Sequence, residues 1–181
     1  MPIHLWHDLS AGPKPPDIVY AVIEVPKGSR NKYEYSKRTG VIKLDRVLYS
    51  SLHYPGDYGF IPRSYFEDED PLDILVMVNE PTFAGCVIEA RPIGMFKMTD
   101  KGKPDYKILA VPATDPNFND FRDLTDIPQH FPSEVAHFFM TYKQLEMATV
   151  SNEGWTAAAE AKAVIMGSLQ FYLDHFPPQG L

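Results

Sequence analysis

Glu67-Asp68-Glu69-Asp70-Pro71-Leu72-Asp73-Ile74-Leu75-Val76-Met77-Val78 sets five carboxylates within seven residues and runs them straight into an apolar segment. Two like charges about 4 Å apart repel by roughly 1 kcal/mol in water and about 4 kcal/mol near a protein surface. Packing such a cluster against a strand therefore works against stability unless a counter-charge arrives. A hard divalent cation with oxygen ligands is the usual one. The residue before a proline is driven into an extended conformation, and an extended 68–70 segment puts Asp68 and Asp70 on one face. Pro71 then turns the chain, and Asp73 can swing back toward the same point. The competing reading of the run is a solvated acidic loop.

Outward from this run, segments 18–25, 41–49, 87–98 and 107–111 are strand candidates beside 74–78, rich in β-branched residues and bounded by turn clusters such as Pro55-Gly56-Asp57 and Asp100-Lys101-Gly102-Lys103-Pro104. Short strands at this spacing predict a small antiparallel barrel or sandwich. From Pro132 onward Val135, Phe138, Phe139, Tyr142 and Leu145 follow helical spacing. A second helix is predicted over 155–175, with Ala161, Val164, Ile165, Leu169 and Tyr172 in one stripe, stopping before Pro177-Pro178. The expectation is a single α+β domain over 1–181, with a β-barrel core at about 18–112 and a helical part at about 132–176 packed on it.

A chain of 181 residues buries about 70% of its unfolded surface and needs no covalent staples. Its single cysteine, Cys86, excludes an internal disulfide and fits a reducing compartment; beside Val87 and Ile88 it reads as a buried inert thiol. The first residues carry no basic stretch followed by a long apolar core, so no signal peptide is expected, and no apolar run is long enough to span a bilayer. Cytoplasmic residence is the expectation. The net charge of −7 argues against nucleic acid and acidic membranes as partners, since both require a basic footprint.

Four groups of residues could carry chemistry. They are Asp68/Asp70/Asp73; Asp100 and Asp105 with Lys107; Glu24 with Lys32-Tyr33-Glu34, where Lys32 and Glu34 share a strand face; and His53-Tyr54-Pro55-Gly56-Asp57-Tyr58-Gly59. Read one at a time, each also has an ordinary structural account: a hairpin tip, an exposed strand, an aromatic turn. A calcium loop starting at Asp68 fails, because Leu72, Asp73 and Asn79 stand where an oxygen ligand, a glycine and a glutamate are required. Gly-rich phosphate loops, zinc spacings and nucleophile elbows are absent from the sequence. Carboxylates, cations and tyrosines without a nucleophile–base pair suit phosphoryl transfer to water, which needs positioning and charge neutralisation more than covalent chemistry.

At this point the sequence resembles the family I soluble inorganic pyrophosphatases of prokaryotic type, over nearly the whole chain from about residue 18 to the last helix. Asp68-Glu69-Asp70-Pro71-Leu72-Asp73 matches the family's D-x-D-P-hydrophobic-D signature. Around it stand, in family order, Glu24-Val25-Pro26, Lys32-Tyr33-Glu34, Asp45-Arg46, Tyr54-Pro55-Gly56-Asp57-Tyr58-Gly59, Lys97-Met98-Thr99-Asp100, Asp105-Tyr106-Lys107 and His137-Phe138-Phe139-Met140-Thr141-Tyr142-Lys143. The resemblance implies a distorted five-stranded antiparallel, OB-like barrel with two C-terminal helices. It implies hydrolysis of pyrophosphate to two orthophosphates by a metal-activated water, with Mg²⁺ or else Mn²⁺ as cofactor, in a homohexamer.

The implied residue roles follow from the same resemblance. Asp70 is the general base, with Tyr58 sharing in catalysis. Asp68, Asp73 and Asp105 hold the tight metal, Asp100 and Asp105 a substrate-borne one, and Glu24 and Glu34 act through waters. Lys32, Arg46, Tyr58, Lys107, Tyr142 and Lys143 are phosphate ligands, with Tyr54 in support. Tyr142 also belongs to the helix stripe, so its ring packs while its hydroxyl faces phosphate. His137, off that stripe, is free to face a neighbouring subunit. One departure is Lys101, where many bacterial members carry an acidic residue. The rival functions are a metal-dependent phosphatase on other phosphate compounds and an OB-like binding module.

Overall fold

The computed structural model describes residues 3–177. In chain order it contains β1 (Val19–Val25), β2 (Asn31–Tyr35), β3 (Ile42–Val47), β4 (Asp57–Phe60), β5 (Asp73–Val76), β6 (Val87–Asp100), β7 (Lys103–Pro104), β8 (Lys107–Pro112), α1 (His130–Thr141), β9 (Val150–Ala157) and α2 (Ala158–His175). Five of the strands close on themselves: β1 pairs with β4, β4 with β5, β5 with β8, β8 with β6, and β6 returns to β1. Each of the five thus has a neighbour on both sides, and the part of β6 beyond its pairing with β1 is left open to further strands. The hairpin of β2 and β3 forms its own two-stranded sheet.

The expected five-stranded ring is therefore present, and one of its seams differs from expectation. β5 and β8 run parallel, with Asp73 opposite Lys107 and Val76 opposite Ala110. A parallel pair needs a long crossover, which the intervening long strand β6 supplies. This seam places an acid and a base side by side at the same end of two neighbouring strands.

Alternation along the strands sorts side chains onto two faces. Ile74 and Val76 of β5 and Ile108 and Ala110 of β8 join one core with Ala161 and Ile165 of α2. Leu75, Leu109 and Val111 join a second core with Val135, Phe138 and Phe139 of α1. Both faces of the strands are thus dry, which is why these segments read as continuous apolar runs. Cys86 is half-buried and packs against the first core.

The C-terminal third corrects two expectations. The predicted second helix begins at Ala158, because residues 150–157 pair as β9 along β6, with Trp155 opposite Phe96 and their rings 5.2 Å apart. Trp155 and Thr156 favour a strand, and Gly154, at φ +94°, supplies the left-handed residue near the register shift. The first helix ends at Thr141, so Leu145 falls in a short 3-10 turn and is 66% exposed. The second helix ends at His175 as expected before Pro177; Pro178 lies outside the described residues. Among the described residues no helix is long and apolar enough to cross a membrane.

Gly59 is required where β4 crosses β1. A Cβ there would lie 1.8 Å from the Val22 carbonyl oxygen, on a backbone that cannot yield without moving the strand pair. Gly59→Ala is expected to cost about 3 kcal/mol or more and to lower Tm by roughly 10 °C. Gly167→Ala, with open space around the site on α2, should leave stability unchanged or raise it by up to about 1 kcal/mol. Thermal unfolding of the two variants beside the parent checks both, and equal melting of all three would remove the packing account.

Candidate active site

The acidic run forms the loop between β4 and β5, and its stem is tied before its charges are placed. Ile61 N–H donates to Leu72 O (3.0 Å), and the buried Ser64 hydroxyl donates to Ile61 O (2.6 Å) while accepting from Leu72 N–H (2.8 Å). At the tip, Phe66 N–H donates to Asp70 O (2.9 Å) and Asp70 N–H to the Asp68 carboxylate (3.2 Å). Glu69 between them has φ +70°. The expected extended 68–70 segment is thus a turn, because the short Asp68 side chain captures a backbone N–H and stabilises a reversal. Asp68 and Asp70 still reach one cleft, by turning instead of by alternation.

That cleft has a volume of about 500 Å³. The acidic loop and β5 contribute Asp68, Asp70 and Asp73; β1 contributes Glu24, β2 Lys32 and Glu34, and β4 Tyr58. The opposite wall carries Asp100, Asp105 and Lys107, with Tyr142 and Lys143 following α1. Residues from six separate stretches of chain therefore converge. Of the sequence-predicted residues only Arg46 and Tyr54 are not part of the lining. Arg46 sits opposite Lys32 across β2–β3 and is held by Asp45 and by Glu146 at 2.8 Å. Tyr54 is buried behind Tyr58, their ring centroids 5.4 Å apart.

Lys107 is the electrostatic centre. It is 3% exposed, and its Nζ donates to Asp73 Oδ2 (2.5 Å), to Tyr58 Oη (3.1 Å) and to Asp105 Oδ1. Burial alone would strip its proton, but Asp105 and Asp73 hold its pKa well above the usual lysine value. Burial likewise raises Asp73, with Lys107 opposing, whereas at Asp105 the attraction and hydrogen bond of Lys107 outweigh burial and hold the carboxyl below its usual range. Tyr58 is pushed far up by burial and the surrounding carboxylates, so it stays a neutral hydroxyl able to donate.

The remaining carboxylates are less well compensated. Burial, followed by Asp73 and Asp105, pushes Asp68 up to about 7. Burial pushes Glu24 up to about 8, although its carboxylate accepts the Tyr35 N–H at 2.6 Å. Lys143 donates to Asp100 Oδ2 at 2.6 Å, while Asp100 Oδ1 is buried without a partner. Lys101, the departure at this turn, is exposed at φ +50° beside Gly102 at φ +82°, a two-residue hairpin tip on the cleft rim. Lys143, not Lys101, supplies the cation that Asp100 meets.

Among the described residues no three His, Cys, Asp or Glu side chains already converge as a metal cage, because Lys107 stands where Asp73 and Asp105 meet. The donor set nonetheless fits a hard divalent cation. It is all oxygen, it leaves a buried Asp100 oxygen unpartnered, and it crowds Asp68 with like charges.

Sequence reasoning missed three residues. Lys37 lines the cleft and pairs with Asp70. Glu146 orients Arg46 across 100 positions of chain, a separation with no local signal. Asp57, fully buried, accepts from Lys27 N–H (2.8 Å), Thr82 N–H (3.0 Å) and the Thr82 hydroxyl (2.6 Å), clamping two loops beside Tyr58. Its sequence signal lies in the turn at 54–59, beside the two tyrosines. His137 is exposed on α1, as its place off the stripe implied.

The profile described as inorganic pyrophosphatase matches residues 21–173. The chain is 50% identical over 175 residues to an inorganic pyrophosphatase of Haloferax volcanii, covering 96% of this chain and 99% of that one. It is 49% identical over 174 residues to one from Halobacterium salinarum, covering 96% and 98%. The crystal structure of the Thermus thermophilus inorganic pyrophosphatase superposes with a TM-score of 0.91 at 42% identity, over 94% of this chain and 99% of that chain.

The raised carboxyls make stability depend on pH in a defined direction. Glu24 and Asp68 hold protons more tightly in the folded chain than in the unfolded one, where they titrate at 4.5 and 3.8. The stability this confers is whole below those unfolded values and is lost as pH rises through about 7 and about 8. His7, lowered chiefly by burial, acts oppositely but has made its full contribution above its ordinary value of 6.5. In chelator, Tm should therefore fall from about pH 6.5 to about pH 8.5, and Glu24→Gln should flatten the fall. A parent Tm that rises over this interval would contradict the burial of these carboxyls.

Proposed function

The chain belongs to the inorganic pyrophosphatase family, and from that premise we propose how its cleft hydrolyses pyrophosphate to two orthophosphates: water attacks directly, without a covalent intermediate, in the presence of Mg²⁺ or, second to it, Mn²⁺. The observation that carries this reading is the lining itself. Seven aspartates and glutamates share a single cleft with Lys32, Lys107 and Lys143, with no Ser, Thr, Cys or His among the lining residues. Such a set binds a phosphoanhydride and its cations and offers no serine, threonine, cysteine or histidine nucleophile.

Asp68, Asp73 and Asp105 would hold one cation and Asp100 with Asp105 another, with Glu24 and Glu34 acting through waters. When bound, such cations lower the pKa of water and neutralise charge on the phosphates. The chain's own groups do the rest. Lys32, Lys107 and Lys143 take phosphate oxygens, and Arg46, held beside Lys32, extends that row. Tyr58 and Tyr142 donate hydroxyls; Tyr142 packs its ring on Phe138 at 5.1 Å and keeps its edge on the cleft. Tyr54 braces Tyr58 from behind. Asp70 is exposed at the cleft mouth, away from Lys107, and serves as the base that takes the proton of the attacking water. Arrival of substrate oxygens lets Lys107 exchange part of its bonding from Asp73 and Asp105 to phosphate.

A phosphate-release assay over pyrophosphate, ATP and a phosphomonoester should show pyrophosphate preferred and activity abolished by chelator and restored by Mg²⁺. Equal rates on all three would favour a general phosphatase. Asp70→Asn should keep the fold and lose about 10²–10⁴-fold in kcat; near wild-type turnover at neutral pH would overturn its assignment as base.

Cytoplasmic residence and a homohexamer complete the reading. Val41, Leu44, Val47 and Tyr49 are each about half exposed along and beside β3, apolar surface of the sort subunit contacts cover, and His137 is open on α1. Sedimentation is expected to show a hexamer at neutral pH that dissociates on acidification. A monomer at neutral pH would defeat the assembly, and pH-independent assembly would defeat only the role of His137.

A further inference from the structure

The turn of the β2–β3 hairpin delivers a lysine to the cleft mouth that no other part of the reaction scheme uses. Lys37 Nζ pairs with the Asp70 carboxylate and donates to the Glu69 carbonyl at 3.2 Å. Its position is set from behind by the segment ahead of β1. The Lys37 ammonium lies over the Trp6 ring, 5.7 Å from its centroid, and the Lys37 carbonyl is bonded by His4 Nε2 at 2.9 Å. Trp6 is itself buried and fixed: its indole N–H donates to Ser64 O (2.8 Å) and its carbonyl accepts Arg63 N–H (2.9 Å). Leu5 N–H donates to the Tyr35 hydroxyl (3.0 Å), and His7 Nδ1 meets the Tyr172 hydroxyl at 2.6 Å. One short segment thus ties together the β2–β3 hairpin, the stem of the acidic loop and α2.

An exposed ion pair contributes little to stability, and both partners here are about half exposed. The arrangement is more specific than a chance surface pair. Asp70 sits on a turn whose backbone is held by Asp68 and Phe66, which leaves its carboxylate free to rotate. Lys37 grips both that carboxylate and the carbonyl of the preceding residue, a two-point hold on the loop tip. The cation–π contact and the His4 bond hold the lysine in turn.

We propose that Lys37, seated on Trp6, is a positioning residue that orients the Asp70 carboxylate at the cleft mouth. It acts through Asp70 and rests on the reading of Asp70 as the base. Aligning a base to the transferred proton raises kcat and leaves substrate binding largely alone.

The test is a kinetic double-mutant cycle on the full chain at saturating Mg²⁺. Lys37→Met should lower kcat for pyrophosphate by about ten-fold, a coupling of the size such cycles detect between directly interacting residues. KM should stay within about two-fold, Lys37→Arg should recover most of the loss, and Tm should be unchanged. In the Asp70→Asn background Lys37→Met should cost nothing further. The proposal is overturned if Lys37→Met matches the parent, if it costs the same factor in both backgrounds, or if the loss lies in KM alone, which would make Lys37 a substrate ligand. A fully active Asp70→Asn removes the base assignment and the proposal with it. An inactive Asp70→Asn beside an unaffected Lys37→Met removes only the proposal.

Discussion

The ammonium of Lys107, buried between Asp73 and Asp105, is the interaction on which the cleft depends. Two carboxylates this close and this dry cannot both stay ionised without a counter-charge, and losing one partner of a buried pair typically costs about 3–5 kcal/mol. The contact exists because β5 and β8 pair in parallel with Asp73 and Lys107 in register. Shifting that register by one residue would turn the side chains of one strand to its opposite face. Ile74, Val76, Ile108 and Ala110 fill one core while Leu75 and Leu109 fill the other, so a slip would exchange side chains fitted to two different cores. Core packing thus fixes the geometry of a polar site that would otherwise push itself apart.

Seen from this pair, an acidic chain that acts on an acidic substrate presents no contradiction. The net charge of −7 is not spread evenly. Carboxylates gather where cations can compensate them, and Lys32, Lys107 and Lys143 line the same cleft. Each of these lysines is already engaged with a carboxylate: Glu34 for Lys32, Asp73 and Asp105 for Lys107, Asp100 for Lys143. In the proposed reaction, turning them toward phosphate would exchange one set of anionic oxygens for another at each ammonium and leave the carboxylates to a bound cation. The raised pKa values of Glu24 and Asp68 mark where compensation is incomplete, and hence where a cation has most to relieve.

The scaffold around the cleft works by clamps with no chemistry of their own. Ser64 closes the stem of the acidic loop, Asp57 locks two loops behind Tyr58, and Trp6 bolts the leading segment to the stem and the hairpin. Each is a buried polar group or a large aromatic whose polar atoms are satisfied, by its own loop for Ser64 and by distant segments for Asp57 and Trp6. Buried polar atoms left without such partners cost more than they contribute, so these clamps specify one loop arrangement.

What the sequence determined by itself is the inventory and its local geometry. The run 67–73 against 74–78 announced a charged group needing a counter-ion, the periodicity of Val135, Phe138, Phe139 and Tyr142 announced a helix, and the motifs named nearly every residue that lines the cleft. These signals are short-range, carried by steric limits, charge spacing and apolar period over a few residues. The tertiary structure decided the rest. It made the 150–157 segment a strand because β6 offered an edge for it, turned 68–70 back on itself, set β5 parallel to β8, and brought Glu146 to Arg46 and Lys37 to Asp70. Those outcomes depend on which distant group supplies a hydrogen bond or an opposite charge, and no spacing along a single chain encodes that.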